Sequence, residues 1–404
     1  MKILIASDLN WPLINGVATF TRNLAKGLAD RGHEVIVIAP SQTGRPYVEV
    51  DGNYKIYRTR SVIFPLYQNI RVSLTPLLEV RRIIQDFEPD VIHIQMLMWI
   101  GQAAMSQARR RNIPVVSTSH AMPENLMDNL KKLAPLARPI NYMLREYGRR
   151  FHSRADAITS PTESGIKSFG KHVAKIEKPI YAISNGINLT QFTPTKADPA
   201  IFKKFNIPTD LPIVSYVGRI DAEKHLGILI RAMELVLKQT KTHLLVVGSG
   251  GDLECNQLLA KELGIDQHVT FTGRVSDEDL IELHKVGKVF CMPSPTELQS
   301  IATLEAMASG QPVVAVDAGA LAELCHDKKN GFLFDLDNVE MAAEGILKII
   351  TDPALRTRMS VNSLKIAKTH DMANTLEQFE ELYNMVIEQN KVDAKEAEQY
   401  GVSE

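Results

Sequence analysis

The stretch Pro293-Ser-Pro-Thr-Glu297-Leu-Gln-Ser-Ile-Ala-Thr-Leu-Glu305-Ala-Met-Ala-Ser-Gly310-Gln-Pro-Val-Val-Ala315 decides how this chain is read. It follows a short apolar run, Val289-Phe-Cys-Met292, and is followed by a second, Pro312-Val-Val-Ala-Val316. Between them the pattern predicts a loop, then a helix from about Ser300 that stops at Gly310, so the order is strand–loop–helix–strand with a glycine at the helix end. Such a helix start presents free backbone N–H groups and a partial positive charge, which suit oxygen-rich ligands. Glu297 falls in the loop and Glu305 about two turns further on, so both carboxylates could border one cleft. Ionised carboxylates accept hydrogen bonds from sugar hydroxyls. On spacing alone, a loop charge and a solvated helix residue fit equally well.

Upstream, a similar series begins with Ile213-Val-Ser-Tyr-Val217 and runs into Gly218-Arg219-Ile-Asp-Ala-Glu223-Lys224. Arg219 and Lys224 thus follow directly on an apolar strand, where a bidentate guanidinium and a compact ammonium can receive a diphosphate. Gly248-Ser-Gly250 invites a dinucleotide-binding reading, but Leu253 stands where a third glycine belongs, so Gly248 is read as a turn that lets a ligand approach the backbone. Val275 precedes a Ser276-capped helix start.

The first half shows the same alternation of apolar runs with amphipathic stretches: Lys2–Ser7, a helix near Val17–Arg31, Glu34–Ala39, Val91–Ile94, a helix near Gly101–Arg111, Val115–Ser119 and Ala157–Thr159. This predicts a parallel, doubly wound sheet, whose ligands bind beyond the carboxyl ends of the strands. Two residues stand at such ends, Gly16 after Asn15 in the first loop and His120 after Val115–Ser119. His93, within the pattern of a buried strand, reads as structural.

The composition is that of a globular protein, with 45% hydrophobic and 23% charged residues over 404 positions, enough for two domains. Three scattered cysteines give neither a disulfide framework nor a metal-ligand spacing, and a reducing cytoplasm fits. Asp335-Leu-Asp337 resembles an Asp-x-Asp metal site but lies on an expected surface turn, so no metal is expected. Charge is uneven: residues 1–185 hold 25 Lys+Arg against 15 Asp+Glu, and the remainder holds 21 against 32. Much of the excess lies between Leu126 and Arg154, including Lys131, Lys132, Arg145, Arg149 and Arg150, interleaved with apolar residues. This reads as two basic amphipathic segments broken by Pro135 and Pro139, either a solvated face or a surface for anionic membrane. No nucleic-acid module is recognisable.

Glu-x7-Glu followed by Ala-Met-Ala-Ser-Gly-Gln-Pro-Val-Val-Ala closely resembles the donor-site signature of retaining family 4 (group 1) glycosyltransferases, and Gly-Arg-x3-Glu-Lys resembles their diphosphate motif. Bacterial lipid glycosyltransferases of the diacylglycerol glucosyltransferase and phosphatidylinositol mannosyltransferase type are similar. The resemblance implies a GT-B fold, two facing doubly wound Rossmann-like domains with an interdomain cleft. The expected boundaries are 1–187 for the acceptor domain, 188–373 for the nucleotide-sugar domain, 374–391 for a helix returning to the first domain, and 392–404 for a flexible tail. It implies metal-independent hexosyl transfer from UDP-glucose, or GDP-mannose, to a hydroxyl of a membrane lipid such as diacylglycerol. A cytoplasmic protein peripheral to the inner face of the membrane is expected.

By the same resemblance Glu297 grips the donor hexose, Glu305 the ribose, Arg219 and Lys224 the diphosphate, and His120 lies beside sugar and acceptor. Gly16, Gly218, Gly248, Val275, Leu298, Gln299 and Ser300 line the donor site. Leu298-Gln299-Ser300 departs from the family's glycine-containing run. A soluble or envelope saccharide as acceptor, a nicotinamide oxidoreductase and a non-catalytic nucleotide-sugar binder are the rival readings.

Overall fold

A computed structural model of the chain describes residues 1–13, 15–64, 70–120, 137–168 and 176–400. The chain divides into two compact units. Of the described residues, those within 1–120, 137–184 and 373–400 form one and 185–372 the other.

The first unit carries β1 (Lys2–Ala6), β2 (Glu34–Pro40), β3 (Tyr47–Asp51), β4 (Tyr54–Thr59), β5 (Ser61–Ile63), β6 (Arg71–Ser73), β7 (Val91–Ile94), β8 (Val115–Thr118), β9 (Ala157–Ser160) and β10 (Ile180–Ala182). Eight of these form one sheet in the order β10-β9-β8-β7-β1-β2-β4-β3, parallel throughout except where β3 runs against β4. The central strands are wholly buried, as near-continuous Val/Ile/Leu runs in a sheet covered on both faces must be. From β1 the chain winds first toward β2 and β4, then returns to build β7 to β10 on the other side. The winding therefore reverses between β1 and β7.

The last helix, Met372–Tyr400, belongs to this unit from Ala373 onward. Phe379 and Tyr383 are fully buried, and the Tyr383 hydroxyl lies 2.6 Å from Nδ1 of His93. The other nitrogen of His93 is 2.6 Å from the Thr118 hydroxyl, so this histidine has partners on both sides within the core. Burial pushes its pKa down to about 3, which keeps it neutral. Residues 392–400, expected as a loose tail, continue the helix, because Lys, Ala, Glu and Gln sustain a helix once a packed one leads into them.

The second unit repeats the plan. β11 (Ile213–Val217), β12 (His243–Val247), β13 (Val269–Gly273), β14 (Val289–Met292), β15 (Val313–Val316) and β16 (Gly331–Phe334) form a sheet in the order β13-β12-β11-β14-β15-β16. Here the winding reverses between β11 and β14. The helix expected near Ser300–Gly310 spans Ile301–Ala308, with Ser300 as its N-cap accepting from Thr303 N at 3.3 Å. Gly310 follows it at φ 84°, a left-handed turn that ends the helix.

The basic stretch is described only in part. Lys131 and Lys132 lie outside the described residues. The helix Ala137–His152 contains Pro139 in its first turn, where a proline removes no helical hydrogen bond, so Pro139 does not break the segment.

Candidate active site

In the second unit the two loops that flank the reversal point meet. The loop after β11 carries Arg219 and Lys224, and the loop after β14 carries Ser294 and Glu297. The Lys224 ammonium lies 2.7 Å from Glu297 Oε1 and 3.5 Å from the Ser294 hydroxyl. Both side chains of this ion pair are only 14% exposed. Burial alone would raise the Glu297 carboxyl, but Lys224, Ser294 and Arg219 outweigh it and hold the pKa below the usual carboxylate range. Glu297 is therefore ionised at neutral pH.

Arg219 pairs with Asp221 and Glu223. Glu223 also lies 4.0 Å from the Lys224 ammonium. Two cations thus stand among three carboxylates. Asp221 carries no signal of this role in the sequence, and Glu223 only its place in the Gly-Arg-x3-Glu-Lys run. The turn Ala222–Lys224 brings those offsets onto one side of the guanidinium. The backbone here is fixed as well. The Tyr216 hydroxyl donates to the Arg219 carbonyl at 2.7 Å, and Ala320 N donates to the Glu297 carbonyl at 3.2 Å.

Gly218 and Gly248 answer to each other. Gly248 has φ 137°, and a Cβ on it would sit 1.9 Å from the Gly218 carbonyl oxygen. The expected close approach at Gly248 is therefore between two loops of the protein itself. Val275 is half-buried against the core of this unit. Leu298, Gln299 and Ser300 are buried at 8%, 6% and 3% exposure. Gln299 Oε1 accepts from Asn185 N at 2.7 Å, and its Nε2 lies 3.5 Å from His370 Nδ1. Glu305, one turn into the helix, is 9% exposed, and its Oε2 is 3.1 Å from Nε2 of the buried His284. His284 was not legible as a partner, since a histidine on the preceding helix reads as ordinary core.

In the first unit, Asn15 caps the helix Gly16–Asp30 by accepting from Ala18 N at 2.9 Å, and Gly16 opens that helix exposed to solvent. His120 stands just past β8, half-buried, with Nε2 at 2.6 Å from Gln95 Oε1 and its ring against Phe20. The amide oxygen accepts, so Nε2 carries the proton and Nδ1 is left as an acceptor. Burial, with a smaller contribution from His152, pushes its pKa down, so the ring is neutral at physiological pH. Among the described residues no group of three or more His, Cys, Asp or Glu could hold a metal ion. No described helix is long and apolar enough to cross a membrane.

Two family models divide the chain between them. Residues 14–191 match Glycosyltransferase Family 4, and residues 197–365 match Glycosyl transferases group 1. The chain belongs to these glycosyltransferases. Among its relatives is a GDP-mannose-dependent alpha-mannosyltransferase of Mycolicibacterium smegmatis, 27% identical over 85% of this chain and 86% of that protein. Another is an alpha-monoglucosyldiacylglycerol synthase of Streptococcus pneumoniae, 28% identical over 83% of this chain and 75% of that protein. Among solved structures, a sucrose-phosphate synthase from Thermosynechococcus elongatus superposes with a TM-score of 0.79, at 21% identity over 96% of this chain and 99% of that one. At that identity the likeness concerns the fold, and the fold of this glycosyltransferase is GT-B, with parallel sheets in two domains.

Proposed function

We propose that this glycosyltransferase moves a hexose, with retention of configuration, from a nucleoside-diphosphate sugar to a lipid hydroxyl. UDP-glucose is the favoured donor and a diacylglycerol-type lipid the favoured acceptor. The observation that carries the donor reading is the meeting of Lys224 and Glu297 beside Arg219. It lies at the reversal point of the second unit's sheet, where doubly wound sheets bind their ligands.

The bond from the anomeric carbon to the diphosphate oxygen breaks with its electron pair on the diphosphate. The acceptor oxygen bonds to the same carbon and passes its proton to the departing diphosphate oxygen. The barrier lies in negative charge gathering on the leaving group while the sugar gains oxocarbenium character. Arg219 and Lys224 would take up that charge, exchanging or sharing the carboxylates they now face. Glu297, held ionised, accepts from sugar hydroxyls, and Glu305 from the ribose. Gly16, at an open helix start, and the neutral His120 are the first unit's candidates for contact with phosphate, sugar or acceptor.

The names of two relatives, alpha-monoglucosyldiacylglycerol synthases of Streptococcus pneumoniae and Acholeplasma laidlawii, support a lipid acceptor. So does the helix Ala137–His152, which exposes Tyr142 and Met143 along with Arg150. Each cation near an anionic leaflet contributes about 1 kcal/mol at most. A cytoplasmic protein lying peripherally on the inner membrane face fits this reading. A saccharide acceptor is favoured by one observation. Glu146 binds Arg149 and Arg150 at 2.6 and 2.9 Å and so offsets part of the helix's charge.

A screen of UDP- and GDP-sugars for nucleotide release, against diacylglycerol vesicles and soluble saccharides, tests both levels. Release with lipid alone supports the full reading. Release with saccharide alone sinks the lipid acceptor, and binding without release from any pair sinks the transfer.

A further inference from the structure

We infer that His284 is a positioning residue for the nucleotide: its imidazole Nε2–H holds one oxygen of Glu305 and so aims the other at a ribose hydroxyl. This rests on the reading of Glu305 as the ribose-binding carboxylate.

His284 lies in the helix Asp277–Val286, and its side chain is fully buried. Its place is fixed from two directions. Its carbonyl accepts from Gln311 Nε2 at 2.7 Å, and Gln311 Oε1 accepts in turn from the Ser215 hydroxyl of β11 at 2.7 Å. Its ring meets Phe192 edge-on, with centroids 5.4 Å apart and planes at 86°. The ring is therefore packed so that Nε2 faces Glu305 Oε2 at 3.1 Å.

The protonation follows from the partners. A carboxylate only accepts, so Nε2 must carry the hydrogen. Nδ1 is buried with no hydrogen-bond partner. The hydrogen bond of this ring therefore runs through Nε2 alone.

The contrast with Glu297 explains what this achieves. Glu297 is matched by a full cation, Lys224. Glu305 instead receives one directional hydrogen bond, from the ring nitrogen of His284. Among the described residues its Oε1 has no protein partner, while the side chain is 12% exposed. A fixed, charged and nearly dehydrated acceptor is what recognition of vicinal hydroxyls needs. Residues that fix a binding group in this way set affinity without touching the ligand.

The test is calorimetric binding of the ribonucleoside diphosphate, UDP or GDP, and of its 2′-deoxy and 3′-deoxy forms. The proteins are wild type, His284→Met, His284→Gln and Glu305→Gln. We expect His284→Met to weaken the ribonucleotide about tenfold, the scale of one hydrogen bond to a charged group. His284→Gln places an amide donor near Nε2 and should stay within about threefold. The loss in His284→Met should vanish for the deoxy form that lacks the hydroxyl met by Glu305. If His284→Met does not fold, His284→Asn, whose shorter amide does not reach Glu305, is measured in its place with the same expectation. Equal losses on ribo and both deoxy ligands, or no loss, overturn the role of His284. If Glu305→Gln weakens the ribo and both deoxy ligands equally, or weakens none of them, the ribose reading of Glu305 falls and this inference with it.

Discussion

The two units share one winding plan and differ in what fills its reversal point. In the second unit the gap between β11 and β14 gathers Arg219, Lys224 and Glu297 on short loops. In the first unit the corresponding gap, between β1 and β7, is filled by Asp8. Its carboxylate accepts from Ile100 N at 2.9 Å and from Gly101 N at 3.3 Å, at the start of the helix Trp99–Arg111. A helix start is where an anion would bind, and here the Asp8 carboxyl group occupies it. One sheet thus keeps this position closed with its own side chain, and the other keeps cations there. On the proposed reading, the same topology leaves the diphosphate role to the second unit.

The sharpest break of that contrast is in activity. Arg219→Ala or Glu297→Ala should lower turnover by about 10² to 10³, the usual cost of one positioned transition-state group, while circular dichroism stays native. Near-normal turnover in either variant would remove the second unit's special standing.

Next comes Gly248→Ala. Its φ of 137° and the 1.9 Å approach to the Gly218 carbonyl leave a side chain no place, so a loss of roughly 3 kcal/mol or more in the stability of the second unit is expected from denaturant titration. A silent substitution would show that the two loops can part freely.

Asp8 offers a pH test of the first unit. Burial raises its pKa to about 7, although the amides of Ile100, Gly101 and Trp99 pull it back. The native state therefore holds a proton that the unfolded chain has released above its ordinary value of 3.8. Stability contributed by the protonated form is complete below pH 3.8 and drains away as the pH climbs to about 7. Asp8→Asn should flatten that part of the profile, a difference of roughly a few kcal/mol across the window. Parallel wild-type and variant urea midpoints from pH 4 to 7 would contradict it.

The smallest effect on stability is expected for Gly16→Ala. A Cβ there meets nothing within 4 Å, so thermal stability should change by less than about 1 kcal/mol. Activity lost without stability lost would mark the Gly16 loop as functional, and unchanged activity would return it to an ordinary helix start.

Much of this was readable from the chain because residues at strand ends inherit their position from the strands. Arg219, Lys224 and Glu297 each follow an apolar run directly, and parallel pairing of β11 with β14 brings their loops together. The partners were not readable in the same way. Asp221 and Glu223 depend on one short turn, and His284 reaches Glu305 through helix packing, which no local pattern encodes. Asp8 looked like any loop acid, since nothing in Ser-Asp-Leu announces that two distant amides will cover it. Residues 392–400 differ for the opposite reason. A polar composition suits a loose tail, but the packed helix leading into them continues through it.

The account turns on whether the second unit's cations hold a diphosphate. The direct measurement is calorimetry of the binding nucleoside diphosphate and of the bare nucleoside, uridine or guanosine, to wild type and Lys224→Met. The account predicts that the variant loses at least about tenfold in affinity for the diphosphate and nothing for the nucleoside. Equal affinity of both proteins for the diphosphate would contradict it.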